Sequence, residues 1–404
     1  MSPSFRLGLT GFLSTAIGFG PARMGFGLFL PTFRDRFALS TAEAGMIAGL
    51  GFLAFLLSLP MAARLSERYG QRLPVAFGAL LAAIGFVSVA GAMAPLQLAL
   101  GVALAGTCAG FCWAPFNDAA ERTLDPPQQP GVLSAVSTGT TTGVAAAGAL
   151  YLAVASQLLD WRLAWSLFAG AAVLQALLAA RLMPSRRIRS AHDDSFELIS
   201  PAKAQLYAAA FVFGACNAVF LSFAADLVVA TGGLGLARDR MAGAVIFLAY
   251  GVCGLVGLVT GRLEAWLGLS GLLTAIFAAF ALSLFLIGLA PDLPAAVLMS
   301  SGLHGAGVMT VSAVLSFWSL RLFPGRGSRG FTLALIAVAL GSVVGPPLAG
   351  TFASAIDLQS AFVTAAGAPL IVAAGFLLQG LHGRKEKAGG PGEPPARNMG
   401  LRRD

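Results

Sequence analysis

Charge is scarce in this chain. Only 11% of its 404 residues are charged, against 57% apolar, a balance that leaves too little polar surface for an ordinary soluble domain. Histidine occurs 3 times and cysteine 4 times. Cys108, Cys112, Cys216 and Cys253 all fall inside apolar runs, so they form neither a disulfide framework nor a zinc-ligand spacing. No segment matches a phosphate-cradling Gly-x-x-x-x-Gly-Lys-Ser/Thr loop, which excludes work driven by nucleotide hydrolysis at such a site. A Ser/His/Asp set and a paired-carboxylate site are also lacking, which argues against an enzyme. No cofactor or metal is expected.

What the chain does have is twelve apolar segments, each of about 20 residues, enough to span hydrocarbon at about 1.5 Å per residue. The predicted spans 1 to 6 run Leu7–Leu30, Ala44–Ala63, Pro74–Met93, Leu96–Ala119, Val132–Ala155 and Leu163–Leu182. Spans 7 to 12 run Gln205–Ala230, Met241–Thr260, Gly271–Ala290, Leu293–Ser319, Phe331–Phe352 and Ser360–Leu381.

The second six repeat the first. Gly139, Gly143 and Gly148 return as Gly341, Gly345 and Gly350; Ala44, Gly45, Arg64, Leu65 and Gly70 return as Ala242, Gly243, Arg262, Leu263 and Gly268; Asp160, Ala164 and Gly170 return as Asp357, Ala361 and Gly367. A parallel repeat of this kind places two six-helix bundles about an axis along the membrane normal, with a site between them near the midplane. The expected fold is therefore an all-α membrane protein of twelve helices in two pseudo-symmetric bundles. Residues 1–183 form the first bundle, 184–204 a polar linker, 205–382 the second bundle and 383–404 a disordered tail rich in Gly, Pro and charge.

Arg64, Arg68, Arg72, Arg122, Arg186, Arg187, Arg189, Arg262, Arg321, Arg326, Arg329, Lys385 and Arg403 all fall on one side of these segments. That side is expected to be cytoplasmic, with both termini inside and the protein in the inner (plasma) membrane. The formal net charge of +8 reports this topology and does not call for nucleic acid as a partner. The partners expected are the lipid bilayer and a small molecule, and a monomer is expected to suffice. Trp161, Trp165, Trp266 and Trp318 sit near span ends, where an aromatic belt would place them.

The turn after span 2 reads Ala63-Arg-Leu-Ser-Glu-Arg-Tyr-Gly-Gln-Arg72. It resembles the Gly-x-Leu-Ala-Asp-Arg-x-Gly-Arg-Arg signature of the major facilitator superfamily, with Leu65, Arg68, Gly70 and Arg72 matching, Glu67 in place of Asp, and Ala63 and Gln71 departing. The copy at Gly261–Gly268 is more degenerate. Gly20-Pro-Ala-Arg23 and Leu30-Pro31 add to the likeness, which covers nearly the whole chain. The resemblance implies alternating access, a cavity lined by helices 1, 4, 7 and 10, and a turn whose contacts close the cytoplasmic side; without a nucleotide loop the energy source is a gradient, or transport is facilitated diffusion. On that basis Glu67, Arg68, Gly70, Arg72 and Arg122 are gating candidates, Glu67 facing the start of span 11 and pairing with Arg122. Gly341-x-x-x-Gly345-Pro346-Pro347-x-x-Gly350 resembles the Gly-Pro motif of the superfamily's antiporters. Those carry it in helix 5, whereas span 5 here has Val144 where the proline would stand. Gly139, Gly143, Gly148, Gly341, Gly345, Pro346 and Gly350 also suit close helix packing.

Polar groups inside the spans are the binding candidates. An arginine within a span costs about 2.5–3.5 kcal/mol, so Arg23 implies a cavity, a partner or an ion path, and its fork of donors suits an oxyanion. Beside a proton-site role, Asp226 has three readings: a structural partner of Arg23, its partner in an outer gate, or a carboxylate reaching interfacial water. His304 is matched by the repeat to Cys108 near the midplane, where it would contact substrate, carry a coupling proton, or simply pack. Asn217, Trp113 and Tyr250 complete the expected binding set. Thr140, Thr141 and Thr142 more often bond their own backbone. A secondary transporter of a small organic anion, with His304 or Asp226 as proton site, is the favoured expectation. A proton-coupled exporter of amphipathic drug-like compounds, and a non-transporting sensor or scaffold, are the competitors.

Overall fold

The structure is a computed structural model that describes residues 2–184, 200–235, 239, 241–323 and 327–389. Most of the expected linker and tail, with Arg186, Arg187, Arg189, Arg326, Lys385 and Arg403 or their side chains, lies outside the described residues. Every regular element among the described residues is helical, as hydrocarbon demands of backbone groups that find no water partners.

Span 1 is made of α1 (Pro3–Phe19) and α2 (Pro21–Phe37), broken at Gly20; spans 2 and 3 are α3 (Thr41–Tyr69) and α4 (Arg72–Ala90). Span 4 is likewise broken, into α5 (Pro95–Phe111) and α6 (Ala114–Thr123), while α7 (Gln129–Ala155) and α8 (Trp161–Leu182) are spans 5 and 6. In the second half α9 (Pro201–Ala230) is span 7, and span 8 is α10 (Met241–Cys253) continued by a 3-10 turn over Gly254–Val259. Span 9 is the part of α11 (Thr260–Leu289) after a kink at Gly268. Spans 10 and 11 are α12 (Pro294–Leu322) and α13 (Gly327–Ala355), and span 12 joins α14 (Leu358–Ala365) to α15 (Gly367–Gly389). Eight of these stretches are long and apolar enough to cross a bilayer singly, Met241–Leu289 holding two spans; the rest of the twelve are spans 1, 4 and 5.

Local chemistry sets the ends. Ser40 and Glu43 form a capping box at the start of α3, and Asp160 and Asp357 cap α8 and α14 through their carboxylates, each satisfying amides with no intrahelical partner. Pro21, Pro95, Pro201 and Pro294 open helices, where a missing N–H costs nothing.

The sequence echoes correspond to equivalent contacts. A Cβ on Gly139 would strike the Phe12 carbonyl and one on Gly341 the Phe211 carbonyl; Gly143 and Gly345 stand in the same way against Ala16 and Ala215. Glycine therefore lets span 5 lie on span 1, and span 11 on span 7, at backbone distance. Gly70 and Gly268 turn the chain after spans 2 and 8 at φ 83° and 70°, with ψ near 170° in both, a conformation essentially restricted to glycine. Open space surrounds Gly268, so Gly268→Ala tests strain without a clash: it should cost about 1–3 kcal/mol, read as a lower melting temperature with the helix content unchanged.

Two expectations are corrected. Trp165 is 1% exposed and packs edge-on to Phe29, Phe86 and Phe168 inside the first bundle, because it sits on the face of α8 turned to α4 rather than to lipid. Trp318 is also buried, against Phe376, leaving the half-buried Trp161 and Trp266, 82% exposed, as the belt residues. His304 matches Ala105, not Cys108: α5 and α12 both open on proline, Pro95 and Pro294, and His304 stands as far from the second as Ala105 from the first.

On the side away from the termini the two halves meet in three seams. Gly27 of span 1 lies against the backbone of Leu221 and Ser222 in span 7. Gly45 and Gly49 of span 2 lie on Pro346 and Pro347 of span 11, where a Cβ would come within 2.5 Å of the Pro346 carbonyl and 2.7 Å of the Pro347 ring. Gly148 of span 5 packs on Ala244 and Leu248, and Gly251 of span 8 on Thr141.

Candidate functional site

Arg23 enters the bundle through the break in span 1. Gly20 permits that break, since a Cβ there would meet the Gly143 backbone at 2.7 Å, and Pro21 restarts the helix two residues before the arginine. Its guanidinium lies over three rings, with Phe55 at 4.9 Å and Phe19 and Phe52 each at 5.5 Å from the centroid. The rings contact the faces of the cation. Its edge is unfilled: Nε and Nη2 are buried with no hydrogen-bond partner among the described residues. These two nitrogens form one side of the guanidinium fork, the geometry that takes a carboxylate bidentately.

On the terminal side of Arg23 lies a cavity lined from both halves. Phe19, Phe55, Leu59 and Trp113 are its first-half walls, and Phe213, Val308, Leu315, Phe331 and Leu335 its second-half walls. Trp113 follows the break in span 4 and stands edge-on to Phe19 at 5.3 Å. Polar side-chain atoms among the described residues are few, coming from Arg23, Trp113, Thr140, Asn217 and Ser312. Thr141 and Thr142 bond the Thr138 carbonyl as expected, but the Thr140 hydroxyl is buried without a partner among the described residues. A second, smaller void adjoins Arg23 on its other side.

The remaining candidates separate. Asn217 lines the cavity, and its Oδ1 accepts the Tyr250 hydroxyl at 3.3 Å. His304 is fully buried behind them, stacked on Phe220 at 4.0 Å, and so does not touch the cavity. Its Nδ1 lies 3.0 Å from Ser283 Oγ, and Ser300 donates to the Ser283 carbonyl at 2.7 Å. This set replaces the tight Gly85–Gly101 contact of the first half. Asp226 pairs with Arg34, not with Arg23: Arg34 Nε is 2.7 Å from its Oδ1. Arg34 also donates to the Leu39 carbonyl at 2.8 Å and to Thr41 at 2.9 Å. It had a sequence signal, since Arg34 and Arg36 lie on the side that the charge bias leaves poor in cations.

The turn after span 2 lies on the terminal side. Arg72 Nε donates to the Met183 carbonyl at 2.8 Å, fixing the turn to the end of span 6, while Arg68 covers the Tyr69 ring at 5.5 Å. Glu67 and Arg122 are both exposed. In the degenerate second copy Arg321 pairs with Glu264 at 2.5 Å, and Arg321 is the repeat counterpart of Arg122.

The sequence model of the Major Facilitator Superfamily matches residues 10–313. The chain belongs to that superfamily. Human Monocarboxylate transporter 11 is 28% identical over 393 residues, covering 92% of this chain and 81% of the human protein. Among solved structures, a point variant of the nucleoside transporter NupG aligns at a TM-score of 0.76 and 11% identity, over 93% of this chain and 99% of its own. A point variant of a peptide transporter, POT, aligns at 0.75 and 14% identity over 94% of each chain. A bacterial homologue of the lysosomal transporter Spinster, inward-facing and occupied, aligns at 0.71 and 19% identity over 94% of this chain and 96% of its own. These structures share the fold. The superfamily member described here is a multi-pass membrane transporter of a small molecule, not an enzyme.

Proposed function

We propose that this transporter carries organic anions that join a carboxylate to an apolar body, by alternating access. The observation that carries the proposal is Arg23 itself, a cation whose Nε and Nη2 are buried without a partner among the described residues, beside a cavity walled mostly by aromatic and aliphatic groups. The guanidinium edge takes the carboxylate, the positive end of α2 reinforces it, and the walls take the apolar body. A lining of this kind, mostly apolar with a few polar groups, suits a small-molecule ligand. The related human protein bears the name of a monocarboxylate transporter, which agrees in ligand class.

In this proposal residues 1–183 and 205–382 rock as two bodies about Arg23 in the inner membrane, and one chain suffices. With the termini cytoplasmic, the closed far-side seams and the cavity on the terminal side make this the inward-facing arrangement. Glu67, Arg68, Gly70, Arg72 and Arg122 close the cytoplasmic side in the opposite state. Asp226 is the favoured proton site, since protonation would discharge its pair with Arg34 across the far-side seam; His304 is the alternative. Asp226→Asn should then open the far side and uncouple uptake from a proton gradient, checked by comparing uptake with and without that gradient.

The apolar walls favour a second reading, export of amphipathic drug-like compounds. Thermal stabilisation of the purified protein over carboxylates, hydrophobic cations and neutral solutes separates the two. Carboxylates alone should stabilise it; equal stabilisation by hydrophobic cations would favour the exporter.

A further inference from the structure

Asn217 is the one amide side chain on the cavity wall among the described residues, and it comes from span 7, in the opposite half from Arg23. A carboxamide has an accepting end and a donating end, and which one it presents decides what it can bind. Here the accepting end is taken: the Tyr250 hydroxyl of span 8 donates to Oδ1 at 3.3 Å. Tyr250 is itself 1% exposed and is held between Phe220 and Phe247 in stacked contacts. Its hydroxyl therefore has little freedom to leave the amide. The NH₂ end of Asn217 has no protein partner among the described residues, and it is not among the sealed, unpartnered atoms that include Arg23 Nε and Nη2. It remains reachable from the cavity.

We infer that Tyr250 is a positioning residue that fixes the Asn217 amide with its NH₂ toward the cavity, so that Arg23 and Asn217 make a donor-only clamp reaching one carboxylate from both halves. This rests on the reading of Arg23 as the anion site and adds two consequences. The first is selectivity. With Tyr250 in place the Asn217 amide offers the ligand no acceptor, so a neutral amide of the same shape as the anion finds no partner there for its own N–H groups, and a site built this way rejects such an analogue. The second is coupling, because an anion held by Arg23 of span 1 and Asn217 of span 7 is a bridge between the two bodies whose rocking moves it.

The test is binding of benzoate and of its neutral isostere benzamide to the purified full-length transporter, by calorimetry, in wild type, Tyr250→Phe, Asn217→Asp and Arg23→Gln. Wild type should bind benzoate and reject benzamide. Tyr250→Phe removes only a hydroxyl and lets the amide turn, so the benzoate-to-benzamide preference should fall about tenfold or more, with benzamide affinity rising. A general loosening of the fold would weaken both ligands and leave their ratio alone. Asn217→Asp puts a carboxylate beside Arg23 and should abolish benzoate binding at neutral pH. An unchanged ratio in Tyr250→Phe, or undiminished benzoate binding in Asn217→Asp, overturns the clamp. The Arg23 reading would survive either result provided that Arg23→Gln loses benzoate. Benzoate binding that is equal in wild type and Arg23→Gln overturns both.

Discussion

Arg23→Gln should weaken binding of an apolar carboxylate by about a hundredfold, because it removes two charge-assisted hydrogen bonds worth about 1.5 kcal/mol or more each, and about 1.4 kcal/mol is a decade in affinity. In a thermal-shift experiment the effect is large: a ligand at a hundred times its dissociation constant stabilises the native state by about 2.7 kcal/mol, nearly all of which the variant would lose. The unliganded variant should melt no lower than wild type, since Arg23 Nε and Nη2 give up no protein partner and a buried charge is removed. Arg23→Lys keeps the charge without the fork and should fall between the two. A ligand-induced shift that survives in Arg23→Gln would place the anion elsewhere.

The second large effect concerns the far-side seams. A Cβ at Gly27 would overlap the backbone of Leu221 and Ser222 across the interface between halves, so Gly27→Val should expel the far-side-closed state. Overpacking costs about 1–3 kcal/mol, and about 1.4 kcal/mol shifts a two-state balance tenfold. Gly143 makes an equally close contact, but with Ala16 inside the first half. Gly143→Val should therefore destabilise the protein without shifting its conformational balance. Spin labels on Ala42→Cys and Thr231→Cys, at the far ends of spans 2 and 7, read the difference. The label distance should lengthen in Gly27→Val and stay as in wild type in Gly143→Val, where the melting temperature drops instead. Equal distance distributions in all three proteins would remove the seam from the mechanism.

Much of this architecture is legible in the sequence, and for a physical reason. The bilayer imposes length and apolarity on each span, and the repeat preserves those residues for which geometry allows little choice. Gly70 and Gly268 recur because one backbone conformation recurs, Gly139 and Gly341 because one helix approach recurs, and Asp160 and Asp357 because one cap recurs. Arg23 stood out since a charge inside a span needs a reason. The sequence was silent where polar groups choose among neighbours. Asp226 has arginines within reach on two turns of span 1, and only the packed structure shows that Arg34 takes it. The sequence repeat misplaces the register of His304 by three residues, about 4.5 Å along a helix axis, and the structure sets it in a serine network away from the cavity. Hydropathy reads Trp165 as an interfacial ring because it weighs position along the span and not the face the ring occupies. The cage of Phe19, Phe52 and Phe55 around Arg23 had no signal of its own in a chain with 29 phenylalanines.

The most direct test of the central claim is uptake of labelled benzoate into proteoliposomes holding the purified protein, with and without an inward proton gradient, beside Arg23→Gln and empty vesicles. Saturable uptake that the gradient accelerates and that Arg23→Gln abolishes is the expected result. Absence of uptake for benzoate and a panel of other apolar carboxylates, by protein that still binds them with its fold intact, would contradict it and leave a sensor on a transporter fold.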